Sequence, residues 1–244
     1  MEMSQQVPVF VALDVDHADK ARQMVHTLGD AATYYKVGLE LFLAAGSGFV
    51  TELVDQGKRI FLDLKFHDIP NTVRAATREA AKLGVDFITV HALGGKDMLV
   101  AAQEGVQAGN GFTDRHTKVL AVTILTSHAV ADLAAIGLKS HDPKENVLNL
   151  ATLAEQARVH GVVCSPHEVA MIRANTGLAA MVPGIRPAGA SANDQKRAAT
   201  PSDAVRAGAS YLVVGRPVVQ ASDPKQALLA IQEEIDLALK LKEA

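Results

Sequence analysis

Short apolar runs that alternate with amphipathic, alanine-rich stretches restrict the fold of this chain more than any other feature of its sequence. We predict eight strands, at 8–13, 33–38, 59–65, 85–90, 118–123, 161–164, 178–182 and 211–214. Helices are predicted between and after them, at 18–28, 40–56, 71–83, 95–108, 143–159, 166–175, 201–208 and 224–242. Because strands that alternate with helices favour parallel pairing and right-handed crossovers, the pattern predicts an α/β fold.

Eight such units within 244 residues favour a single-domain (β/α)8 TIM barrel, with an open, doubly wound sheet as the alternative. Several predicted helices end in a glycine before the next strand, as helix C-termini often do. These glycines are Gly57, Gly84, Gly161 and Gly208. No linker, low-complexity tract or change of composition divides the chain, so we predict one domain that covers residues 1–244.

The third predicted strand carries charges in an otherwise apolar run, 60–64. Asp63 and Lys65 are two positions apart, so their side chains leave an extended strand on the same face. Asp68 follows at the predicted turn, and Pro70 stands where the first turn of a helix can accept a proline. Charges in an apolar strand are costly unless they are paired. The Asp-x-Lys-x-x-Asp spacing therefore indicates either an ion pair that locks the core or a catalytic site.

In a (β/α)8 barrel, catalytic residues stand at the C-terminal ends of the strands or in the loops that follow. Polar residues occupy such positions at all eight predicted strands: Asp14, Lys36, Asp63 with Lys65, His91, Thr123 to Ser127, Ser165, Arg186 and Arg216. An ion pair that only stabilises the core would not explain why polar and charged residues gather at one end of eight separate strands. This distribution favours a catalytic site.

The loops after strands seven and eight are a common phosphate position in this fold. Each contains a glycine, which permits close backbone approach, and an arginine whose guanidinium fits phosphate oxygens, Arg186 in one and Arg216 in the other. Gly215 and Arg216 would present an N–H and a guanidinium together. Two solvated loop arginines are the structural alternative. Residues 187–197 are small, polar and glycine-containing, which suits either a lid over a ligand or an ordinary surface loop.

Asp14, Asp16 and His17 resemble a metal-binding cluster, but His17 also begins a predicted helix with an acidic first turn. We predict that Asp14 binds a ligand and that Asp16 has a capping or turn role. The nine histidines show no spacing typical of metal ligands, and the two near the predicted site are His67 and His91. The histidines therefore do not indicate a metal centre.

Composition argues against several classes of partner. A net charge of −3, the absence of tryptophan and an aromatic content of 4% give no basis for binding nucleic acid or an anionic membrane. The single cysteine, Cys164, cannot form an internal disulfide or a cysteine-rich zinc site, which fits a reducing compartment. No apolar run approaches the roughly 18 residues of a membrane span, and the N-terminus lacks the features of a signal peptide. We expect a soluble, cytoplasmic protein.

Several segments together carry a resemblance to a known family: Ala12 to Asp14, Tyr35 to Gly38, Phe61 to Thr72, Leu125 to Ser127, Pro183 to Arg186, Gln195, and Val214 to Arg216. Over essentially its whole length, the chain resembles the bacterial type of the orotidine 5′-phosphate decarboxylase family. The resemblance implies decarboxylation of orotidine 5′-phosphate (OMP) to UMP in de novo pyrimidine biosynthesis. It implies no metal ion and no cofactor.

By this resemblance, Lys36, Asp63, Lys65 and Asp68 form an alternating charge network in which Lys65 protonates the C6 carbanion. Asp68 and Thr72 would reach into the neighbouring subunit's site, which implies an obligate homodimer. The substrate contacts implied in one subunit are Asp14 and Lys36 at the ribose, Thr126 and Ser127 at the pyrimidine edge, Arg186, Gly215 and Arg216 at the phosphate, Gln195 in the lid, and also Asp63 and Pro183.

Three other functions stay open. A Mg²⁺-dependent sugar-phosphate decarboxylase on the same scaffold would share the Asp-x-Lys-x-x-Asp strand, but that group resembles the chain less, because it places a metal-binding glutamate where Lys36 stands. A Schiff-base aldolase could use Lys65 or Lys36 as its nucleophile. A non-catalytic nucleotide-binding barrel would need no intact charge network, whereas this sequence keeps all of its members.

Overall fold

A closed barrel of eight parallel strands forms the centre of the computed structural model, which describes residues 6–128, 130–138, 140, 142–187 and 199–243. The strands are β1 (Val9–Ala12), β2 (Tyr34–Gly38), β3 (Arg59–Phe66), β4 (Phe87–His91), β5 (Lys118–Val122), β6 (Gly161–Val163), β7 (Ala179–Val182) and β8 (Tyr211–Val214). Each strand pairs with the next along the chain, and β8 pairs back onto β1. The (β/α)8 prediction is confirmed, because an open sheet would leave β1 and β8 apart.

Helices connect the strands and follow the last one. They are α1 (Ala18–Leu28), α2 (Leu39–Asp55), α3 (Pro70–Lys82), α4 (Gly95–Asn110), α5 (Val130–Ala135), α6 (Pro143–Gln156), α7 (Val169–Asn175), α8 (Pro201–Arg206), α9 (Arg216–Val219) and α10 (Pro224–Glu243). The sequence pattern does not predict α5 and α9, which are too short at 6 and 4 residues for a helical period to show. Within the described part of the chain, no helix is long and apolar enough to cross a membrane.

Three of the four glycines predicted to end helices do so. Gly57, Gly84 and Gly208 have φ angles of 78°, 74° and 97°, which a residue with a side chain rarely adopts. The prediction for Gly161 is wrong, because this residue is the first of β6. A β-carbon at Gly161 would lie 2.4 Å from the carbonyl oxygen of Ala179 on β7, so the glycine is explained by close strand packing.

Alternate residues along the strands point into the barrel or out towards the helices. Phe10, Phe61 and Phe87 belong to one buried cluster, and the ring of Phe10 lies edge-on to the other two at centroid distances of 5.9 and 5.8 Å. Their strand neighbours, such as Val11 and Leu62, belong to the second and larger cluster. The period of two explains this division. An aromatic cluster therefore fills the barrel interior near the N-terminal half of the strands.

The strand β3 departs from regular pairing where its charges lie. Its pairing with β4 joins Leu62 to Ile88 and then Phe66 to Val90, with a shift of register between the two pairs. More residues of β3 than of β4 lie between these pairs, which is the arrangement of a β-bulge. Bulges redirect side chains at the rims of barrels, so the charged residues leave β3 from an irregular segment.

Candidate active site

The inward face of two neighbouring strands changes from aromatic to charged towards the C-terminal end of the barrel. On β2, Lys36 follows Tyr34 by two positions, and on β3, Asp63 follows Phe61 by two positions. Tyr34 and Phe61 both contact the aromatic cluster inside the barrel. Because side chains alternate along a strand, the two charged groups lie over that cluster at the end of the barrel where sites are expected.

Asp63 and Lys65 form an ion pair, with 2.7 Å between Oδ2 of Asp63 and Nζ of Lys65. The Asp63 side chain is 13% exposed and the Lys65 side chain is 30% exposed. The two side chains meet, as their spacing predicts, although the strand between them is not regular. Lys65 has a φ of 51°, a left-handed value that costs energy for a residue with a β-carbon.

Lys36 pairs with Asp14, whose Oδ1 lies 2.6 Å from the Lys36 Nζ. The lysine side chain is almost buried, and the aspartate is more than half exposed at the end of β1. Gly38 leaves room for this pair, because a β-carbon at that position would lie 3.1 Å from the lysine Nζ. The ammonium of Lys36 is therefore held beside a carboxylate that a ligand can also reach.

Two adjoining cavities open around these ion pairs, and they share Lys36, Asp63, Pro183 and Val213 in their walls. The first, of about 160 Å³, has a mainly apolar wall that also includes Lys65 and the predicted base contact Thr126; its other lining residues are Phe61, Val122, Ile124, Leu125, Val163 and Cys164. The second, of about 410 Å³, is lined by polar and charged groups that include Asp14, Arg186, Gly215 and Arg216. One compartment thus suits a flat apolar group and the other suits an anion.

The anion-binding end of the second cavity is built from the loops after β7 and β8. Arg186 is 8% exposed, and its Nη1 donates to its neighbour's carbonyl, the oxygen of Ile185, at 2.8 Å. The backbone N–H of Arg186 donates to the carbonyl of Ala199 at 2.9 Å, so a hydrogen bond joins the described residues on either side of segment 188–198. Gly215 is the N-cap of α9, so Arg216 begins a helix. Two guanidinium groups therefore lie in one cavity wall, as the loop pattern predicts.

Four of the predicted site residues lie elsewhere or outside the described residues. Asp68 is exposed, and its Oδ1 accepts a hydrogen bond from the backbone N–H of Ile69 at 2.6 Å. Thr72 is exposed in the first turn of α3. Ser127 lines neither cavity, and Gln195 lies outside the described residues. Within one chain, Asp68 and Thr72 are therefore turned to the surface.

The histidines near the site form a pair at the end of β4. The rings of His67 and His91 are 5.5 Å apart. Nδ1 of His91 is buried and has no hydrogen-bond partner among the described residues. Burial, and to a smaller extent the charge of His67, lower the pKa of His91 below its ordinary value. Burial therefore opposes a positive charge on His91, which lies beside the charged pair.

The segment that resembles a metal-binding cluster does not form one. Asp16 is exposed, and its Oδ1 accepts a hydrogen bond from Nζ of Lys20 at 2.7 Å, which lowers the pKa of the Asp16 carboxyl. The N-cap of α1 is His17, so of the capping or turn role predicted for Asp16 the capping alternative is wrong. Asp16 lies in the bend before α1, and its side chain pairs with the first turn of that helix. Across the described ranges, no group of three or more His, Cys, Asp and Glu side chains could hold a metal ion.

Sequence reasoning did not assign Gln220, Cys164 or Thr89 to the site. Gln220 lines the second cavity after α9, and Cys164 lines the first cavity with 1% of its surface exposed. Thr89 is fully buried on β4 and is hydrogen-bonded to both members of the Asp63–Lys65 pair. For Thr89 a signal existed, because it follows Phe87 by two positions and so shares its inward face.

Taken together, the barrel, the buried lysine–aspartate pairs and the arginine-lined cavity define a (β/α)8-barrel enzyme with a charged site at the C-terminal ends of its strands. Residues 8–231 match the model of the orotidine 5′-phosphate decarboxylase / HUMPS family. The chain belongs to this family.

Similar proteins agree with that assignment. An orotidine 5′-phosphate decarboxylase of Halorhodospira halophila is 50% identical over 230 residues, which cover 93% of this chain and 95% of that protein. One of Pseudomonas putida F1 is 46% identical over 94% of this chain and 97% of its own length. A crystal structure of the Lactobacillus acidophilus orotidine 5′-phosphate decarboxylase superposes with a TM-score of 0.84 at 43% identity, over 95% of this chain and all of that one (100%). The chain is therefore a carboxy-lyase like these relatives.

Proposed function

We propose that this enzyme decarboxylates OMP to UMP in de novo pyrimidine biosynthesis, and that it uses neither a metal ion nor an organic cofactor. The observation that carries the proposal is the Asp63–Lys65 ion pair, which stands in a mainly apolar cavity that opens into an arginine-lined one. Such a pair of compartments matches a flat pyrimidine joined through ribose to a phosphate. A cytoplasmic location belongs to the same proposal and rests on the single, buried and reduced Cys164.

The cavity walls suggest how the substrate lies. The phosphate binds to Arg186, to Arg216 and to the backbone at Gly215, since forked guanidinium donors match phosphate oxygens. Asp14 and Lys36, at the junction of the cavities, contact the ribose hydroxyls. The pyrimidine lies in the first cavity between Pro183 and the loop after β5.

Thr126 lines the first cavity and contacts the pyrimidine edge. The contacts predicted for Ser127, which lines neither cavity, and for Gln195, which lies outside the described residues, stay predictions. Binding energy from the phosphate, far from the reacting carbon, is then available to order the site.

The chemistry follows from the charges around C6 of the ring. The substrate carboxylate is held next to the Asp63 carboxylate, and this repulsion ends when the C6–carboxylate bond breaks and CO₂ departs. The electron pair of that bond stays on C6 as a carbanion, which the Lys65 ammonium stabilises. Lys65 then transfers a proton from Nζ to C6, which gives UMP, and the neutral amine regains a proton from solvent.

The arrangement of lysines supports a reaction without a metal ion. Lys36 places a positive charge where the magnesium-dependent alternative has a carboxylate, and a cation next to it would be repelled. Asp14 and Asp63 are already neutralised by Lys36 and Lys65 at 2.6 and 2.7 Å. Neither carboxylate therefore needs a divalent ion for charge balance.

A homodimer completes the proposed site. Asp68 follows β3, Thr72 lies in the first turn of α3, and both are exposed. We place them in the partner's site, where Asp68 is the second carboxylate of the predicted network of Lys36, Asp63, Lys65 and Asp68. Exposed apolar side chains follow the neighbouring strands at the same end of the barrel: Leu39 and Leu43 after β2, Ile69 after β3 and Leu93 after β4. Apolar side chains exposed around one rim are typical of a surface that another subunit covers.

Loss of OMP absorbance by the purified protein, with and without a chelator, tests the proposal. Turnover that is unchanged by the chelator is expected. A folded dimer that leaves OMP intact would rule out the function, and turnover that the chelator abolishes would favour the metal-dependent alternative. Borohydride treatment in the presence of a sugar phosphate with a free aldehyde or ketone should leave no covalent adduct on Lys65 or Lys36, since a trapped Schiff base would indicate aldolase chemistry.

A further inference from the structure

Thr89 bridges the two charged residues of β3 from the neighbouring strand. Its Oγ1 donates to Oδ1 of Asp63 at 2.9 Å and accepts the backbone N–H of Lys65, also at 2.9 Å. One hydroxyl thereby serves the carboxylate of one residue and the main chain of the other. The Thr89 side chain has no exposed surface and lines neither cavity, so any effect it has on a ligand passes through Asp63 or Lys65.

The bulge in β3 explains why a side chain of β4 must supply a hydrogen-bond acceptor to β3 at this point. Between the pairs Leu62–Ile88 and Phe66–Val90, Thr89 is the single residue of β4 and faces the charged segment of β3. A strand bulge removes regular ladder hydrogen bonds, and a buried N–H left without an acceptor is costly. The Thr89 hydroxyl supplies that acceptor for Lys65. It therefore stabilises the left-handed φ of 51° at Lys65, which a regular strand would not allow.

The same hydroxyl restricts the Asp63 carboxylate. Oδ2 of Asp63 accepts from Nζ of Lys65 at 2.7 Å, and Oδ1 accepts from Thr89. With a donor on each oxygen, the carboxylate plane is fixed relative to the ammonium. Both side chains that are proposed to face C6 are thus oriented by one buried group on another strand.

We propose that Thr89 is a positioning residue of this enzyme, which sets the orientation of Asp63 and the backbone of Lys65 for decarboxylation. This inference rests on the proposed function for its kinetic consequence. Its structural part, the hydrogen bond that holds the Lys65 N–H, is independent of the substrate. A hydroxyl is required because the group must donate and accept at once, which valine of nearly the same shape cannot do.

The kinetic test compares Thr89→Val with Thr89→Ser. The valine variant should lower kcat for OMP by about 10- to 100-fold, the range expected when reacting groups are displaced by a fraction of an ångström to an ångström. The Kd for UMP should stay within about threefold, since the phosphate and ribose contacts are untouched. Thr89→Ser keeps the hydroxyl and should recover most of the lost kcat. If the valine variant does not fold, Thr89→Ala replaces it.

Thr77 provides a matched control, because it is another fully buried threonine, whose Oγ1 donates to carbonyls of α3 and α4 away from the site. Thr77→Val should lower the unfolding temperature and leave kcat unchanged. An equal loss of kcat in Thr77→Val would show a general effect of destabilisation and overturn the inference. An equal loss of kcat in Thr89→Ser and Thr89→Val would overturn the inference too, since the loss would then come from altered packing and not from the missing hydroxyl.

Amide hydrogen exchange at Lys65, followed by NMR in the full-length protein, tests the inference without turnover. Protection of the Lys65 N–H should fall at least about tenfold in Thr89→Val relative to Thr77→Val and be kept in Thr89→Ser. If the Lys65 N–H is protected equally in Thr89→Val and in Thr77→Val, the inference is overturned, whether or not the wild-type protein converts OMP. Failure of the wild-type protein to convert OMP, with the exchange result as expected, would instead reject the proposed function alone.

Discussion

The ammonium of Lys36 lies 2.6 Å from Oδ1 of Asp14, which stands 22 positions earlier in the chain. Lys36 lines both cavities, and Asp14 lines the arginine-containing one. The pair therefore connects the compartment proposed for the pyrimidine with the one proposed for the phosphate. A ligand that binds in the second cavity meets a lysine whose position also affects the first, so substrate binding and ring chemistry are coupled through one side chain.

Replacing Lys65 by alanine should remove the proposed proton donor to C6. We expect Lys65→Ala to lower kcat for OMP by at least about 100-fold, because a positioned general acid contributes on that scale. UMP binding should stay measurable by calorimetry, since the arginine contacts remain. Lys20→Ala is the matched control, because it also breaks a 2.7 Å ion pair, but one on the surface of α1. Near-normal turnover by Lys65→Ala would contradict the proposed role.

Removal of either guanidinium should weaken binding of the phosphorylated ligand specifically. Arg186→Ala and Arg216→Ala should each raise the Kd for UMP by about 10- to 100-fold, the equivalent of roughly 1.5–3 kcal/mol for a charged hydrogen bond. Binding of uridine, which has no phosphate, should change little. In Arg206→Ala, which loses an exposed arginine paired with Asp203 at 3.6 Å, both ligands should bind as in the wild type. Equal weakening of UMP and uridine would argue against a phosphate site.

Mixed dimers test whether Asp68 serves the neighbouring subunit. Asp68→Ala and Lys36→Ala should each be inactive alone, but a mixed dimer contains one site in which neither substitution falls. Refolding the two variants together should therefore restore activity, up to about a quarter of the wild-type value for random pairing of two subunits. Mass spectrometry of the mixture checks that mixed dimers form. If they form and stay inactive, the site is not shared between subunits.

The buried His160 should make stability depend on pH. It precedes β6, with its ring near Tyr211 and Phe87, and burial, more than the charge of Lys118, lowers its pKa from an ordinary 6.5 to about 4. Below pH 6.5 the unfolded chain binds a proton that the folded chain takes up only near pH 4. The free energy of unfolding should therefore fall as the pH drops through this window.

His160→Gln isolates this contribution, because glutamine does not titrate. We expect the loss of stability between pH 7 and pH 5 to be smaller in this variant by about 1 kcal/mol, after allowance for the partial exposure of the ring. Urea unfolding at both pH values measures the difference. His26→Gln, which removes an exposed histidine of α1, should unfold with the wild-type pH dependence. If the free energy of unfolding of His160→Gln depends on pH as that of the wild type does, the pH dependence does not come from His160.

Much of the fold could be predicted from the sequence because strand and helix periods are local. The eight strands and eight of the helices lie within a few residues of their predicted positions. Gly161 shows where a local argument fails: its lack of a side chain is required by Ala179 on the next strand, and no neighbour in sequence reveals that contact. The sequence also placed Asp14, Lys36, Arg186 and Arg216 at one end of the barrel, because each follows a predicted strand or lies late in one and parallel strands all point the same way.

The pairing of charges could be predicted only in part. The spacing of two positions predicted that Asp63 and Lys65 leave the strand on one face, and they do form an ion pair, although β3 is bulged between them. Within one chain, the pairing in the structure differs from the predicted four-charge network. Lys36 pairs with Asp14, and Asp68 is exposed beside Ile69. Which lysine meets which carboxylate depends on the register between strands, and whether Asp68 joins the network depends on a second subunit.

What the sequence determined by itself is the barrel, the end at which polar groups gather and the chemistry of those groups, because period, alternation and residue type are properties of short segments. Only the tertiary structure decided how the groups are oriented. The left-handed Lys65 and its hydrogen bond to Thr89, 24 positions away, arise where β3 and β4 lose register. A bulge of this kind is a relation between two strands, so neither strand alone encodes it.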